Sequence, residues 1–209
     1  MRRIQKAGIK KKNLAVFVSG GGSNFQSIHD ACVGGSIHGD VVVLVTNKLG
    51  CGGAEYSRDK GIPVLLFPKS KDEANGLSPT DLVAALSLQV KVREIWERQR
   101  AGSDVPSLAF GGKGYYGMKV HNAVIASGAR YSGPTIHFVD EHYDTGHILA
   151  QRVVPVLWND TAQDLAARVL QEEHRLYVEV VAALCEERVI WREDGVPIIQ
   201  SKESPNDYS

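Results

Sequence analysis

The sequence predicts an α/β protein with a doubly wound, mostly parallel sheet. Short apolar runs at 14–18, 41–46 and 62–67 have the length and composition of buried strands. Helical patterns separate these runs, and strands that alternate with helices are typical of βαβ units. In such sheets ligands collect at the carboxyl ends of the strands. The loops that follow the strands are therefore where functional residues are expected.

The loop after the first strand reads Ser19-Gly-Gly-Gly-Ser-Asn24. Consecutive glycines let backbone N–H groups turn toward a ligand, and Ser23 and Asn24 then open a predicted helix whose N-terminus favours an anion. The loop therefore predicts a phosphate cradle. It matches neither the dinucleotide fingerprint GxGxxG nor the P-loop GxxxxGK[ST]. A tight turn without a ligand is the alternative interpretation.

The remaining elements follow from periodicity and capping signals. The acidic loop at 140–146 lies between two alternating runs and predicts a hairpin-like pair. Thr161 and Asp164 form a capping-box pattern at the start of a long amphipathic helix. Shorter helices are predicted at 54–60, after Ser78 or Thr80, in the charged stretch 87–104 and at 120–126, and a closing strand pair within 188–200 turns at Asp194-Gly195.

Composition limits the class of protein and its partners. The 209 residues are 43% apolar, with 24 basic and 24 acidic side chains and no long apolar span. This predicts a single globular domain at 13–200 between a basic tail at 1–12 and a C-terminal tail at 201–209, with no nucleic-acid or membrane partner. Three scattered cysteines without a CxxC pair favour neither a disulfide framework nor a metal site.

Several motifs together are similar to those of the phosphoribosylglycinamide formyltransferase family in its plant form, over about 14–86 and 110–208. The sequences that carry the resemblance are Ser19-Gly-Gly-Gly-Ser-Asn24, Ala109-Phe-Gly-Gly-Lys-Gly114, Ser127-Gly-Ala-Arg-Tyr-Ser-Gly-Pro-Thr-Ile-His-Phe-Val139, Tyr143-Asp-Thr-Gly146 and Glu172-Glu-His174. The resemblance implies a Rossmann-like formyltransferase fold. It also implies transfer of a formyl group from 10-formyltetrahydrofolate to glycinamide ribonucleotide in purine (IMP) synthesis, without a metal.

The resemblance assigns roles to individual residues. Gly22, Ser23 and Asn24 would hold the substrate phosphate, and Glu173 would accept hydrogen bonds from the ribose hydroxyls. Thr135 and His137 would stand behind the reacting groups. The folate pocket would be lined by Asp140, Glu141, His142, Tyr143 and Asp144, of which Asp144 would also raise the pKa of a catalytic histidine.

That histidine belongs to an Asn-x-His-Pro motif that this chain lacks. If Pro106-Ser-Leu108 is the remnant of the motif, Val105 stands in the histidine position and Ser103 in the asparagine position. Valine can neither donate a hydrogen bond nor titrate. The divergent segment 87–108 also replaces an expected apolar strand, so central strands are expected to be missing and formyl transfer to be impaired.

Two other functions remain open from the sequence. One is a non-catalytic nucleotide-binding relative or an aberrant splice product, since an altered splice would explain the sharp replacement at 87–108. The other is a formyltetrahydrofolate hydrolase. It is less favoured because the Glu173 region and the tail match the ribonucleotide enzyme. The plant-like motifs favour the plastid, with the cytoplasm as the alternative and with most of a targeting segment absent from this chain.

Overall fold

A three-stranded parallel sheet forms the centre of the fold. The structure is a computed structural model that describes residues 10–69, 75–89, 117–138 and 146–203. The strands β1 (Lys12–Phe17), β2 (Gly39–Thr46) and β3 (Val64–Leu66) lie in the order β1-β2-β3 and run parallel. The first two predicted strands begin two residues later than the observed ones, because the added residues, Lys12-Asn13 and Gly39-Asp40, lie outside the apolar runs.

Five helices accompany the strands in the described residues. They are α1 (Ser23–Val33), α2 (Gly52–Asp59), α3 (Pro79–Gln89), α4 (Met118–Ser127) and α5 (Ala162–Cys185). Each of the predicted helices in the described ranges is present. The charged helix expected at 87–104 contributes only its first residues, which belong to the end of α3, and the rest lies outside the described residues.

The capping signals in the sequence have the expected local geometry. The Ser78 hydroxyl accepts the Asp81 N–H at 3.2 Å before α3. At the start of α5 the Thr161 hydroxyl accepts the Asp164 N–H at 3.2 Å, and the Asp164 carboxylate accepts the Thr161 N–H at 3.0 Å. Gly128 ends α4 in the left-handed conformation, which glycine adopts without steric cost.

Short antiparallel pairs complete the described secondary structure. They are β4 (Tyr131–Ser132) with β7 (Val154–Pro155), β5 (Thr135–His137) with β6 (Ile148–Gln151), and β8 (Val189–Trp191) with β9 (Pro197–Ile199). The hairpin around the acidic loop and the closing pair at Asp194-Gly195 are thus confirmed. The β4–β7 pair was not predicted, because two-residue strands carry no periodicity.

Apolar side chains cover both faces of the parallel sheet. On one face, Leu44 packs in a core shared with Phe25 of α1 and Val180 of α5. On the other face, Val43 and Val45, which flank Leu44 in β2, pack against Leu82 and Leu86 of α3. A separate cluster joins α4 to the first part of α5. This two-sided covering confirms the α/β class and fixes the positions of the strand ends.

Two further properties of the described residues bear on the expected class. Cys32, Cys51 and Cys185 are all buried and are not joined by disulfide bonds. Burial raises the pKa of the Cys32 thiol to about 11, with smaller contributions from Cys185 and Asp40. In the same parts of the chain, every helix falls short of the length and apolar character that a membrane crossing requires.

Candidate functional site

The glycine loop after β1 leads directly into α1. Gly22 precedes the helix with φ +78° and ψ 24°, a left-handed conformation that suits glycine. The first bond of the helix runs from the Gln26 N–H to the Gly22 carbonyl at 2.9 Å. The N–H groups of Ser23 and Asn24 precede that bond, and the first N–H groups of any helix have no intrahelical acceptor. The loop therefore presents donors and the positive end of α1.

A second glycine pair, which sequence reasoning missed, packs against this loop. Gly52 and Gly53 begin α2, at the carboxyl end of β2, and the Gly53 N–H donates to the Gly20 carbonyl at 3.1 Å. A β-carbon on Gly52 would lie 3.1 Å from the Gly21 carbonyl oxygen. The two strand ends are therefore held together by backbone contact. The Gly52-Gly53 dipeptide after a predicted strand was the available signal for this contact.

Asn24 and Glu173 meet across the packed helices α1 and α5. The Asn24 amide nitrogen Nδ2 donates to Glu173 Oε1 at 2.6 Å, although 149 positions separate the two residues in the sequence. Asn24 is 4% exposed, and Glu173 is partly buried. The contact brings a residue of the predicted phosphate cradle against the residue predicted to bind the ribose.

The electrostatics of this pair follow from burial. Loss of hydration raises the pKa of the Glu173 carboxyl above its ordinary value, and the hydrogen bond from Asn24 opposes that rise. The other end of the Asn24 amide, Oδ1, is buried without a hydrogen-bond partner in the structure. A buried acceptor without a donor is costly and marks a place where a ligand donor would be stabilised.

His174 follows Glu173 on α5 and is also affected by burial. Its Nε2 atom is buried and has no hydrogen-bond partner. Burial lowers the pKa of its imidazole below the ordinary value, which favours the neutral ring. A neutral histidine beside Glu173 supplies no positive charge to bind phosphate.

Thr135 and His137 lie on β5, at the stem of the hairpin that leads to the acidic loop. The Thr135 hydroxyl accepts from Gln151 Nε2 at 3.0 Å, which joins β5 to β6. His137 Nδ1 lies 2.9 Å from the Phe138 carbonyl oxygen, where the N–H tautomer would donate. Both side chains are partly buried, and β5 packs against α5.

The other predicted site residues lie outside the described residues. They are Ser103, Val105, Asp140, Glu141, His142, Tyr143 and Asp144. Among the residues that the structure does describe, no group of three or more His, Cys, Asp or Glu side chains could hold a metal ion. The described site is thus a donor-rich glycine loop beside a buried amide and carboxylate, which suits a phosphate attached to a polar group.

Known proteins share both the sequence and this fold. The sequence pattern of the formyl transferase family matches residues 12–92 and 112–181. A chloroplastic phosphoribosylglycinamide formyltransferase of Vigna unguiculata is 66% identical over 96% of this chain and 69% of the relative. The chloroplastic enzyme of Glycine max is 58% identical over 96% of this chain and 72% of the relative. The crystal structure of glycinamide ribonucleotide transformylase 1 from Symbiobacterium toebii superimposes with a TM-score of 0.71 at 27% identity, covering 91% of this chain and 94% of that one.

These similarities test the expectations drawn from the sequence. The Rossmann-like formyltransferase fold is confirmed by the structural match. The expected plastid location agrees with the chloroplastic names of the plant relatives. Because these relatives are well above half identical to it and are covered over more than two thirds of their length, the chain belongs to the phosphoribosylglycinamide formyltransferase family.

Proposed function

We propose that this chain binds glycinamide ribonucleotide at the glycine loop and at Glu173. The family transfers a formyl group from a formyl-folate in purine synthesis, and its acceptor is a phosphorylated ribose that carries a glycinamide. The observation that carries the proposal is the 2.6 Å contact between Asn24 and Glu173. It brings the glycine loop and the Glu173 carboxylate side by side, which supports the binding of one ribose 5-phosphate.

The phosphate would be bound by backbone donors. The N–H groups at the start of α1 have no acceptor within the helix, and the helix dipole adds a partial positive charge there. Gly22 contributes its left-handed turn, and Ser23 contributes an exposed hydroxyl beside the same helix start. Binding through backbone donors does not need a lysine or arginine in the loop.

The ribose would be bound by the Glu173 carboxylate. One oxygen of that carboxylate accepts from Asn24, which leaves the other for a sugar hydroxyl. Burial raises the pKa of Glu173 because it disfavours the ionised carboxylate. A sugar hydroxyl that donates to the carboxylate would have the opposite effect and favour the ionised form. This arrangement would orient the sugar relative to the phosphate.

The formyl donor in this proposal is 10-formyltetrahydrofolate, bound along the loop from Asp140 to Asp144. Attack by the substrate amine on the formyl carbon places negative charge on oxygen, which a hydrogen-bond donor must stabilise. The amine must also lose a proton to a base. In the family pattern, an asparagine and a histidine that Asp144 keeps protonated both donate to that oxygen, so the amine proton goes to a different acceptor.

We propose further that formyl transfer by this chain is impaired. Val105 and Ser103 occupy the histidine and asparagine positions, and valine supplies neither a proton nor a hydrogen-bond donor. The family match stops at residue 92 and resumes at 112, and both positions lie in that interval, which supports the proposal. Retained nucleotide binding without turnover is therefore the function that we expect of the chain itself.

The test compares the native chain with a variant in which residues 87–108 are replaced by a family segment that carries Asn-x-His-Pro. Formyl transfer is followed by the absorbance of the folate product, and glycinamide ribonucleotide binding is measured by calorimetry. We expect both proteins to bind the nucleotide and only the repaired variant to turn over. Loss of a catalytic proton donor typically costs about 10²–10⁴-fold in rate.

Each alternative has a distinct result in the same assays. Full activity of the native chain would contradict the impairment and would identify another proton donor, with His142 and His147 tested first. Failure of both proteins to bind the nucleotide would contradict the proposed binding function. Release of formate from the folate without nucleotide would indicate a hydrolase instead.

A further inference from the structure

We propose that Tyr56 of α2 is a positioning residue for the phosphate-binding loop, because its hydrogen bonds to His29 and Asp30 hold α1 at the angle that directs the first N–H groups of that helix at the phosphate. This inference rests on the proposed nucleotide binding and adds the residue that orients its phosphate donors. Tyr56 itself touches no ligand in this arrangement and acts through α1.

The helices α1 and α2 meet at two levels. At the first level, where both helices begin, a β-carbon on Gly53 would lie 3.4 Å from the Gly22 Cα atom. At the second level, the Tyr56 hydroxyl lies within hydrogen-bond distance of His29 and Asp30, in the second turn of α1. Glycines carry no side chain, so the first level alone would let α1 pivot against α2. The second level removes that freedom, because two points of contact fix the angle between two helices.

The hydrogen bonds of Tyr56 form a directed chain. Its hydroxyl donates to Asp30 Oδ1 at 3.2 Å, and His29 Nδ1 lies 3.0 Å from the same hydroxyl oxygen. A phenol has one proton, so His29 donates to Tyr56 from Nδ1 while Tyr56 donates to Asp30. Partial burial, together with the Asp30 carboxylate, raises the pKa of Tyr56 above its ordinary value, which keeps that proton in place.

The two bonds differ in their exposure to water. The His29 side chain is 16% exposed, whereas the Asp30 side chain is 75% exposed. A hydrogen bond shielded from water is electrostatically stronger than one in contact with it. The bond between His29 and Tyr56 is therefore the one whose loss should affect α1 most.

The ring of Tyr56 extends the contact toward the glycine loop. It meets the Phe25 ring edge-on, with the centroids 5.4 Å apart and an interplanar angle of 90°. Phe25 is fully buried and directly follows Ser23 and Asn24, whose N–H groups are the proposed phosphate donors. Lys60 Nζ lies over the Tyr56 ring, 5.4 Å from its centroid. Tyr56 thus contacts both the first and the second turn of α1.

The orientation of α1 matters because backbone donors cannot turn independently of their helix. A hydrogen bond weakens steeply as it departs from linearity, and the favourable field at a helix N-terminus lies along the helix axis. A tilt of α1 would therefore weaken all the bonds to the phosphate together. Removing the Tyr56 hydroxyl permits that tilt and leaves the ring contacts and the glycine contact in place.

The experiment measures the affinity of the full chain for inorganic phosphate and for glycinamide ribonucleotide by calorimetry. We expect Tyr56→Phe to weaken the binding of both probes about threefold to tenfold, the range that one net hydrogen bond contributes. Amide NMR spectra of the phosphate-saturated chain give a second readout. The Ser23 and Asn24 N–H protons should resonate upfield of their native positions, because weaker hydrogen bonds deshield them less.

Further variants separate positioning from a general loss of stability. His29→Leu should reproduce the loss of affinity, whereas His29→Gln, whose amide can donate to Tyr56, should recover most of it. The double variant of Tyr56→Phe and His29→Leu should be little worse than either alone, since both remove the same bond. Ser57→Ala is the matched control, because the buried Ser57 hydroxyl donates to the Ile62 carbonyl at 3.0 Å, within the α2 region and away from α1. It should lower stability and leave phosphate affinity at the native value.

The outcomes distinguish this inference from the proposed function. Native phosphate affinity in Tyr56→Phe would overturn the inference while leaving nucleotide binding intact. An equal loss of affinity in Ser57→Ala would also overturn it, because the loss would then follow stability and not the angle of α1. If the native chain binds neither inorganic phosphate nor glycinamide ribonucleotide, the proposed function fails and this inference fails with it.

Discussion

Gly22 and Gly53 approach so closely that a β-carbon on Gly22 would lie 2.6 Å from the Gly53 Cα atom. A separation below 3.0 Å is one that real side chains essentially never show, and here the contacting atom is backbone, which cannot swing aside. The contact joins the loops at the carboxyl ends of β1 and β2. It holds the donors of the glycine loop in one arrangement before a ligand arrives.

Gly22→Ala is therefore expected to destabilise the chain through two separate effects. The left-handed backbone at φ +78° costs about 1–2 kcal/mol for any residue with a β-carbon. The collision with Gly53 adds about 1–3 kcal/mol, as overpacking does elsewhere. Urea unfolding followed by circular dichroism measures the sum, and phosphate affinity should fall as the loop shifts.

Gly35→Ala provides the matched control for this substitution. Gly35 also has φ +78°, but an added β-carbon there would have no atom within 4 Å. It should show the backbone cost alone, about 1–2 kcal/mol. Equal losses at Gly22 and Gly35 would mean that the approach of Gly53 carries no energetic weight.

Glu173→Gln is expected to stabilise the ligand-free chain in a manner that depends on pH. Burial raises the pKa of Glu173 above 4.5 in the folded state, so below about pH 4.5 both states hold the proton. As the pH rises through the folded pKa, the unfolded chain ionises more readily and the native chain loses stability. The advantage of the glutamine variant should therefore grow between pH 4 and pH 7.

Thermal unfolding across this pH range measures the effect, with Glu172→Gln as the control. Glu172 is the neighbouring carboxylate and forms a salt bridge with Arg175 at the surface of α5. Its substitution removes a carboxylate from the same helix and leaves Glu173 in place, so it shows what the loss of a surface charge on α5 does by itself. A Glu173→Gln advantage that shrinks as the pH rises would contradict the assigned direction of the pKa shift.

His121 provides a pH dependence of the opposite sign. It lies on α4 between the apolar neighbours of that helix, 8% exposed, with its Nδ1 atom unpartnered. Burial lowers the pKa of its imidazole below 6.5, so the unfolded chain takes up a proton first as the solution is acidified. Stability should therefore fall as the pH drops below about 6.5, and His121→Leu should remove that part of the loss.

The exposed His38 serves as the reference for this measurement. His38→Leu shows how the slope of stability against pH between 7 and 5 responds when an imidazole is removed from the surface and not from the core. The test is equilibrium urea unfolding at several pH values. If His121→Leu retains the full native slope, His121 is not the group whose protonation destabilises the fold.

Local patterns predicted helices and strands well, because the residues that specify them are neighbours in sequence. Thr161 and Asp164 lie three positions apart, and their reciprocal hydrogen bonds form as the motif requires. The contact between Asn24 and Glu173 spans 149 positions and has no such signature. Each residue was assigned to the site separately, through resemblance, but their hydrogen bond depends on how α1 and α5 pack.

Buried polar groups were the other feature that sequence patterns did not reveal. His121 and Val124 lie three positions apart on α4, and both are buried. A helical pattern of apolar residues predicts that Val124 is buried, but it does not predict the burial of a histidine. The Gly53 contact was missed for a related reason. Glycine after a strand is compatible with any turn, and only the approach of a second loop makes it necessary.

Thr161→Ala is expected to cost about 1 kcal/mol of unfolding free energy, because the N-terminal cap of α5 is lost. This helix packs against α1 and carries Glu173, so its first turn supports the site from a distance. Urea unfolding gives the value. Thr80→Ala, at an exposed position inside the first turn of α3, should change stability by less than about 0.5 kcal/mol.

Trp191 of β8 packs against the two residues that flank the acidic loop, Phe138 after β5 and His147 before β6. Its ring centroid lies 5.0 Å from that of Phe138 and 6.1 Å from that of His147. The Phe138 N–H also donates to the His147 carbonyl at 2.9 Å, so the indole covers a hydrogen-bonded pair. Trp191→Ala should cost about 1–2 kcal/mol, since aromatic pairing adds to the apolar area lost.

Trp158 provides the comparison, because it is 94% exposed whereas Trp191 is 54% exposed. Trp158→Ala should change the free energy of unfolding by less than about 0.5 kcal/mol. Trp191→Phe keeps an aromatic ring beside Phe138 and should recover part of the loss. If all three variants unfold at the same urea concentration as the native chain, Trp191 does not stabilise the stem, and the hairpin between β5 and β6 is held by its own hydrogen bonds and by its packing against α5 and β9.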